Sequence, residues 1–94
     1  MSNKSLNIFD VTERAMAHFG LETQVNKLIE ELDELKKALI KGQECGFDLC
    51  SAHIAEELAD VHILTLPVMK ALNLEGQVPK WTQVKLKRLD KIIM

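Results

Sequence analysis

The fold is decided by TQVNKLIEELDELKKALIK, residues 23–41. When successive residues are placed about 100° apart, as in an α-helix, one face of this segment is entirely apolar. The residues on that face are Val25, Leu28, Ile29, Leu32, Leu35 and Leu39. Lys36, Lys37 and Lys41 lie at the negative end of the helix dipole, and Gly42 follows them. The pattern predicts an amphipathic helix of about five turns.

Three further segments have apolar residues at helical spacing. The first covers residues 8–19 and stops at Gly20, which suits a C-terminal cap. The third helix is predicted to start after the loop GQECGFD, residues 42–48, with Asp48 or Ser51 as its cap, and to continue to about residue 72.

Two prolines mark the second half of the chain. Pro67 lies inside the third helical pattern and is expected to kink or break it, because proline cannot donate a backbone hydrogen bond. The stretch NLEGQV, residues 73–78, is predicted to be a connection, and Pro79 suits the first turn of a last helix that ends near residue 93. The sequence therefore predicts an all-α, four-helix bundle.

Composition agrees with one small helical domain over residues 1–94. Hydrophobic residues make up 47% of the chain and aromatic residues only 4%, which favours helices over sheets. A chain of 94 residues buries only about 60 to 70% of its unfolded surface, so self-association would add stability. The third helix has more apolar surface than so short a chain can readily cover, and a homo-oligomer is expected.

Charge and hydropathy narrow the classes of partner. The net charge of −2 does not favour a nucleic-acid-binding protein, although residues 80–94 contain five of the twelve basic residues and one of the fourteen acids. No apolar run reaches the roughly 18 residues of a membrane span, and MSNKSLNIFD, residues 1–10, lacks the apolar region of a signal peptide. We expect a cytoplasmic protein that binds neither nucleic acid nor membrane.

Two cysteines, Cys45 and Cys50, could bind zinc together with His53. The sequence places no fourth ligand beside them. Two free thiols are the ordinary state in the cytoplasm, and we expect that state here.

The acids of the second helix divide into two groups. On the helical projection Glu30 and Asp33 point towards solvent. The other group forms a stripe beside the apolar face and consists of Gln24, Lys27, Glu31 and Glu34. Glu31 and Glu34 are three residues apart, so their carboxylates repel one another unless a cation lies between them.

The third helix repeats this arrangement with Glu57 and Asp60. These acids adjoin LADVHILTLPVMKAL, residues 58–72, which is apolar on nearly every face, as in a buried or interfacial helix. Ionised carboxylates are costly in such surroundings unless a positive charge compensates them. The compensating charge could be a cation, with all-oxygen ligation favouring Mg²⁺ or Mn²⁺, or Lys and Arg side chains of the last helix.

The two acidic pairs resemble a known motif. EE-x-x-E followed by E-x-x-D, here residues 30–34 and 57–60, is similar to the motif of the all-α nucleoside triphosphate pyrophosphohydrolases of the MazG type. HFGLETQVNKLIEELDEL, residues 18–35, resembles the lead-in to the first acidic helix of small MazG-like proteins. EELADVHILTLPVMKALNL, residues 56–74, resembles their second acidic helix, and the similarity covers about residues 15–92.

The resemblance implies Mg²⁺-dependent cleavage of a nucleoside triphosphate between its α and β phosphates, which yields a monophosphate and pyrophosphate. By the same resemblance the metal ligands are Glu31, Glu34, Glu57 and Asp60. It also implies a homodimer or a dimer of dimers in which a second chain completes the site. A role in removing unwanted nucleotides would fit such an activity.

The remaining residues of the proposed reaction are assigned from chemistry. The attacking water could be held by the metal, by a ligand such as Glu34, or by Glu30. Lys85 and Arg88 of the last helix, with the neighbouring Lys91, could neutralise phosphate charge, or could form an ordinary solvated basic face.

Three other residues are predicted to lie close to this site. Gln24 and Lys27 are candidates for substrate contact, and Lys27 could equally serve charge balance. His53 projects near the second acidic pair, although a structural or surface histidine is expected.

The sequence leaves two functional classes open. A non-catalytic helical interaction module, which binds a partner through its apolar third helix, is the alternative to an enzyme.

Overall fold

A computed structural model describes residues 5–94, so residues 1–4 of the N-terminal stretch lie outside the described part of the chain. The four helices are α1 (Ile8–Phe19), α2 (Leu21–Cys45), α3 (Phe47–Ala71) and α4 (Gln77–Ile93). Residues 5–94 contain no β-strand, which confirms the all-α class. In that range no helix combines the length and the hydropathy needed to cross a membrane.

Helix α1 has the bounds that the sequence predicts. The Asn7 side chain caps it by accepting hydrogen bonds from the backbone N–H groups of Phe9 and Asp10, at 2.9 and 3.1 Å. Gly20 ends it with a φ of +87°, a conformation that glycine adopts without a steric penalty. Helix α2 then starts at the next residue.

The predicted loop over residues 42–48 is wrong. Helix α2 continues to Cys45, and Gly46 alone separates it from α3. Gly42 stays helical and buried because the ring of Phe47 and the side chain of Ile54 pack where a larger side chain would lie. A Cβ atom on Gly42 would be 2.8 Å from the Phe47 ring and 3.1 Å from Ile54 Cδ1. The bare glycine surface therefore lets the ends of α2 and α3 approach closely.

The predicted caps of α3 are also wrong. Gly46 occupies the cap position and offers no side-chain hydrogen bond. Asp48 lies in the first helical turn, where its negative charge suits the helix dipole, and the Ser51 hydroxyl donates to the Asp48 carbonyl at 3.3 Å.

Helices α2 and α3 form a long antiparallel pair, and α1 packs against both. The apolar core consists of Ala38 of α2 with Leu64, Pro67 and Val68 of α3. Pro67 does not break α3, which continues for four more residues. Its ring is buried in the core beside Leu64 and Val68.

Helix α4 is separate from this core. Within residues 5–94 it packs against none of the other helices, and every residue of α4 is exposed. Its exposed residues include Trp81, which is 56% accessible, and Leu89. One chain therefore forms a three-helix bundle with a fourth helix that projects from it, rather than a closed four-helix bundle.

Replacing Gly46 with Ala should destabilise the chain by about 1–3 kcal/mol, because the φ of +98° at this position is rarely adopted by residues with a side chain. Apart from Gly46 and its two chain neighbours, no atom of residues 5–94 lies within 4 Å of the added Cβ, so the effect isolates backbone strain. Gly76→Ala is the matched control, since Gly76 has an ordinary helical φ of −85° and equally open surroundings. Urea denaturation measures both, and equal free energies of unfolding for the two variants would contradict this account.

Candidate metal centre

Three carboxylates meet where α2 faces α3. One oxygen each from Glu31, Glu57 and Asp60 lies within 4.8 Å of the others. Glu31 precedes Gly46 by 15 residues and Asp60 follows it by 14, so the antiparallel pairing brings them level. We refer to these three residues as the acidic triad.

Glu57 is the most buried member of the acidic triad. It is only 8% exposed, and its Oε2 atom is buried without a hydrogen-bond partner among residues 5–94. The other oxygen, Oε1, lies 4.0 Å from Nδ1 of His53, one turn earlier on α3. A buried polar atom is nearly always hydrogen-bonded in a folded protein. This orphaned oxygen therefore points to a ligand in the acidic triad.

The pKa shifts of two triad carboxyls indicate that nearby positive charge does not fully compensate the acidic triad. Burial raises the pKa of the Glu57 carboxyl above its ordinary value, and the nearby charges of Glu31 and Asp60 raise it further. The pKa of Asp60 is raised by burial and then by Glu31. In both cases the charged form is disfavoured in the ligand-free protein.

Lys27 supplies part of the compensation. Its Nζ atom lies 3.1 Å from Oε1 of Glu31 and 3.9 Å from Oε2 of Glu30. The hydrogen bond and the charge of Glu31 raise the pKa of Lys27, so it stays protonated. Three ionised carboxylates and one ammonium leave a formal charge of −2, which a divalent cation would neutralise.

The donor set and its spacing fit a small, hard cation. All three groups offer carboxylate oxygens, which suit Mg²⁺, Mn²⁺ or Ca²⁺ better than zinc or copper. Oxygens on opposite sides of an octahedral Mg²⁺ are about 4.1 Å apart, and the triad oxygens lie within 4.8 Å of one another. Small side-chain rotations would therefore bring the three oxygens into a coordination shell.

Glu34, the fourth predicted ligand, lies outside this group of oxygens. Its side chain is 52% exposed, and Oε1 lies 3.7 Å from Nζ of Lys37, which is also 3.0 Å from Oδ2 of Asp33. The charge of Glu34 nevertheless contributes to the raised pKa of Glu57. Glu30 and Asp33 point towards solvent, as the helical projection predicts, with 68% and 56% of each side chain exposed.

A cavity of about 200 Å³ adjoins the acidic triad. Gln24, which is buried, and Lys27, which is exposed, line it together with Glu31 and Asp60. Glu34, the fourth member of the predicted flank of α2, does not line it. Its remaining wall comes from α1 and the apolar side of α3. The residues of that wall are Val11, Thr12, Ala15, Ile63 and Leu64. The projection of single helices could not reveal the wall from α1, because it depends on how α1 packs.

The basic residues of α4 do not reach the acidic triad within one chain. Lys85, Arg88 and Lys91 are exposed on a helix that contacts no other helix of the described chain. No ion pair between α4 and Glu57 or Asp60 forms among residues 5–94. The sequence-based alternative of an intrachain ion pair with the last helix is therefore not realised.

The cysteines do not form a zinc site either. Cys45 and Cys50 are free thiols, and the one group of metal-ligating side chains found in residues 5–94 is the acidic triad. The acidic triad could hold a metal ion beside a small, partly apolar cavity. No match to the chain was found among protein-family models, curated proteins or solved structures.

Proposed function

We propose that this protein is a Mg²⁺-dependent nucleoside triphosphate pyrophosphohydrolase. Water would attack the α-phosphorus, the bond to the β-phosphate oxygen would break, and the products would be a nucleoside monophosphate, pyrophosphate and a proton. The observation that carries the proposal is the buried, unpartnered Oε2 of Glu57 inside the acidic triad. The resemblance of the two acidic motifs to those of MazG-type enzymes supports the choice of reaction.

Mg²⁺ is the proposed cation, with Mn²⁺ as the substitute that the same oxygen ligands accept. Such an ion neutralises charge on a phosphoanhydride and acts as a Lewis acid towards its oxygens. Glu31, Glu57 and Asp60 would hold it, and Glu34 could join them by turning away from Lys37, from which it is 3.7 Å distant.

The neighbouring side chains have complementary tasks in this proposal. Glu30 or Glu34 would accept the proton of the attacking water, since both carboxylates lie on α2 next to Glu31 and are open to solvent. Lys27 would orient Glu31 and attract phosphate through its Nζ atom, 3.1 Å from Glu31 Oε1. Gln24 would donate its amide N–H to substrate from the wall of the same cavity.

The size of the cavity supports a site completed by a second chain. Drug-sized ligands occupy pockets of about 300–1,000 Å³, whereas this cavity is about 200 Å³. A nucleoside triphosphate is at least as large as a drug-sized ligand, so it would extend beyond the cavity of one chain. In a homodimer or dimer of dimers, Lys85 and Arg88 of a neighbouring copy could neutralise the β and γ phosphates.

The second candidate function is a non-catalytic interaction module. The extensive apolar surface of the chain favours it, since Leu32, Leu58, Ile63 and Trp81 are all exposed in one copy. This candidate predicts tight binding to a partner and no turnover.

A pyrophosphate-release assay over common and damaged NTPs and dNTPs, with Mg²⁺ or with EDTA, tests the proposed reaction. We expect Mg²⁺-dependent release of one pyrophosphate per monophosphate formed, and orthophosphate only as a trace. The paired measurement of monophosphate establishes which anhydride bond breaks. Absence of turnover across the panel, together with no change in melting temperature on adding Mg²⁺, would favour the interaction module.

A further inference from the structure

Helix α4 has a largely apolar side that no other helix of residues 5–94 covers. Its 17 residues form an amphipathic helix, and isolated helices of this length are only marginally stable in water. On the helical projection Trp81, Val84, Leu89 and Ile92 share one side with Lys85 and Arg88, and the four apolar residues are exposed. Packing against another surface is therefore needed to hold α4 in its helical form.

A matching groove lies between α1 and the last turns of α3. This groove has a volume of about 560 Å³ and a mostly apolar lining. Its principal apolar residues are Phe9, Met16 and Ala17 from α1 with Leu66, Pro67 and Met69 from α3. Such a long apolar groove is the type of surface in which an amphipathic helix packs its apolar face.

The groove and helix α4 also carry opposite net charges. The groove carries Glu13 and Glu75 against one base, Lys70. Helix α4 carries five basic residues and a single acid, Asp90. Lys85 and Arg88 flank Trp81 on the helical projection, so they would enter the interface beside the acidic rim. Opposite charges at an apolar contact favour one partner and one register.

Helix α4 does not occupy the groove of its own chain among residues 5–94. Glu75 is part of the groove wall, and α4 begins only two residues later, at Gln77. From there α4 leads away, with no contact to α1 or α3 within the described residues. In two copies related by a twofold axis, α4 of each copy can cover the groove of the other copy.

We propose that α4 of one copy packs into the α1/α3 groove of a second copy, and that the second copy returns its own α4 in the same way. This interface requires neither the cation nor a nucleotide. In this arrangement Lys85 and Arg88 lie beside the groove acids rather than beside substrate phosphates, so the interface does not rest on the phosphate-binding role of these two residues. Loss of turnover in Glu57→Gln would leave the interface intact, and loss of the interface would leave the acidic triad in place.

Trp81 reports directly on this interface because it is the only tryptophan in the chain. Light scattering without metal or nucleotide should give a mass of two or four chains of 10.6 kDa, and Leu89→Glu should halve it. The same substitution should shift Trp81 emission to the red and reduce the helical signal in circular dichroism. Gln83→Glu, which introduces the same charge on the opposite face of α4, should change none of these.

Cross-linking between two tagged chains identifies what α4 contacts. In a Cys45→Ser and Cys50→Ser background, one chain carries Met16→Cys in the groove and the other carries Leu89→Cys in α4. After refolding together, a short bismaleimide should link the two tags, whereas His18→Cys in place of Met16→Cys should not. A dimer that survives Leu89→Glu would overturn the proposal. So would a single chain carrying both Met16→Cys and Leu89→Cys that forms only intrachain cross-links.

Discussion

Glu57→Gln is expected to lower the rate of pyrophosphate release by at least about 100-fold while the chain remains folded. Even residues that only support metal ligands cost roughly 10- to 100-fold in metal affinity or activity when they are replaced, so loss of a direct ligand should reach the upper end of that range. Glutamine keeps the shape of the side chain and removes the charge. The change therefore tests the carboxylate at the most buried position of the acidic triad, rather than its packing.

Matched substitutions on the same two helices separate the cation site from a general effect of charge. Asp60→Asn and Glu31→Gln should cause similar losses, because each contributes an oxygen to the triad. Asp33→Asn should leave turnover unchanged, because Asp33 points to solvent and pairs with Lys37 at 3.0 Å. Steady-state release at saturating Mg²⁺ is the measurement. Wild-type rates for both Glu57→Gln and Asp60→Asn would remove the basis of the metal site.

The local periodicity of the sequence grouped several side chains that the structure also brings together. Helical projection placed Gln24, Lys27, Glu31 and Glu34 on one flank, and the first three line one cavity whereas Glu34 does not. The apolar neighbourhood of Glu57 and Asp60 indicated buried carboxylates, which the structure also confirms for Glu57. These features depend on the repeat of a single helix and on hydrophobicity, both of which are local properties.

The features that could not be predicted depend on contacts between distant residues. Gly42 resembles a helix terminator, and its helical state depends on the packing of Phe47 and Ile54 against it. Glu34 shares the flank of Glu31, yet Lys37 lies 3.7 Å from it and offers a competing partner outside the triad. The separation of α4 from the bundle depends on what covers its apolar face, and no pattern within α4 encodes where that surface lies.

Without metal, Glu57→Gln is expected to raise the melting temperature at pH 7, although the same substitution is expected to lower turnover. The pKa values of Glu57 and Asp60 in the folded chain lie above their ordinary values of 4.5 and 3.8, so the folded state binds more protons than the unfolded state between the ordinary and the raised values. The free energy of unfolding therefore falls as pH rises through that window. Acidification from pH 7 through the raised pKa values should correspondingly stabilise the metal-free protein, and Glu57→Gln should weaken this dependence.

Mg²⁺ should reverse the order of the melting temperatures of the wild type and the Glu57→Gln variant. A ligand at 100 times its Kd stabilises the folded state by about 2.7 kcal/mol, so the wild-type melting temperature should rise with Mg²⁺ while that of Glu57→Gln stays constant. Asp33→Asn should respond as the wild type does. Thermal unfolding in EDTA and in increasing Mg²⁺ measures both effects at fixed pH. A metal-free Glu57→Gln protein that melts below the wild type would show that the Glu57 carboxylate is already compensated within the chain, and the buried oxygen would then need no cation.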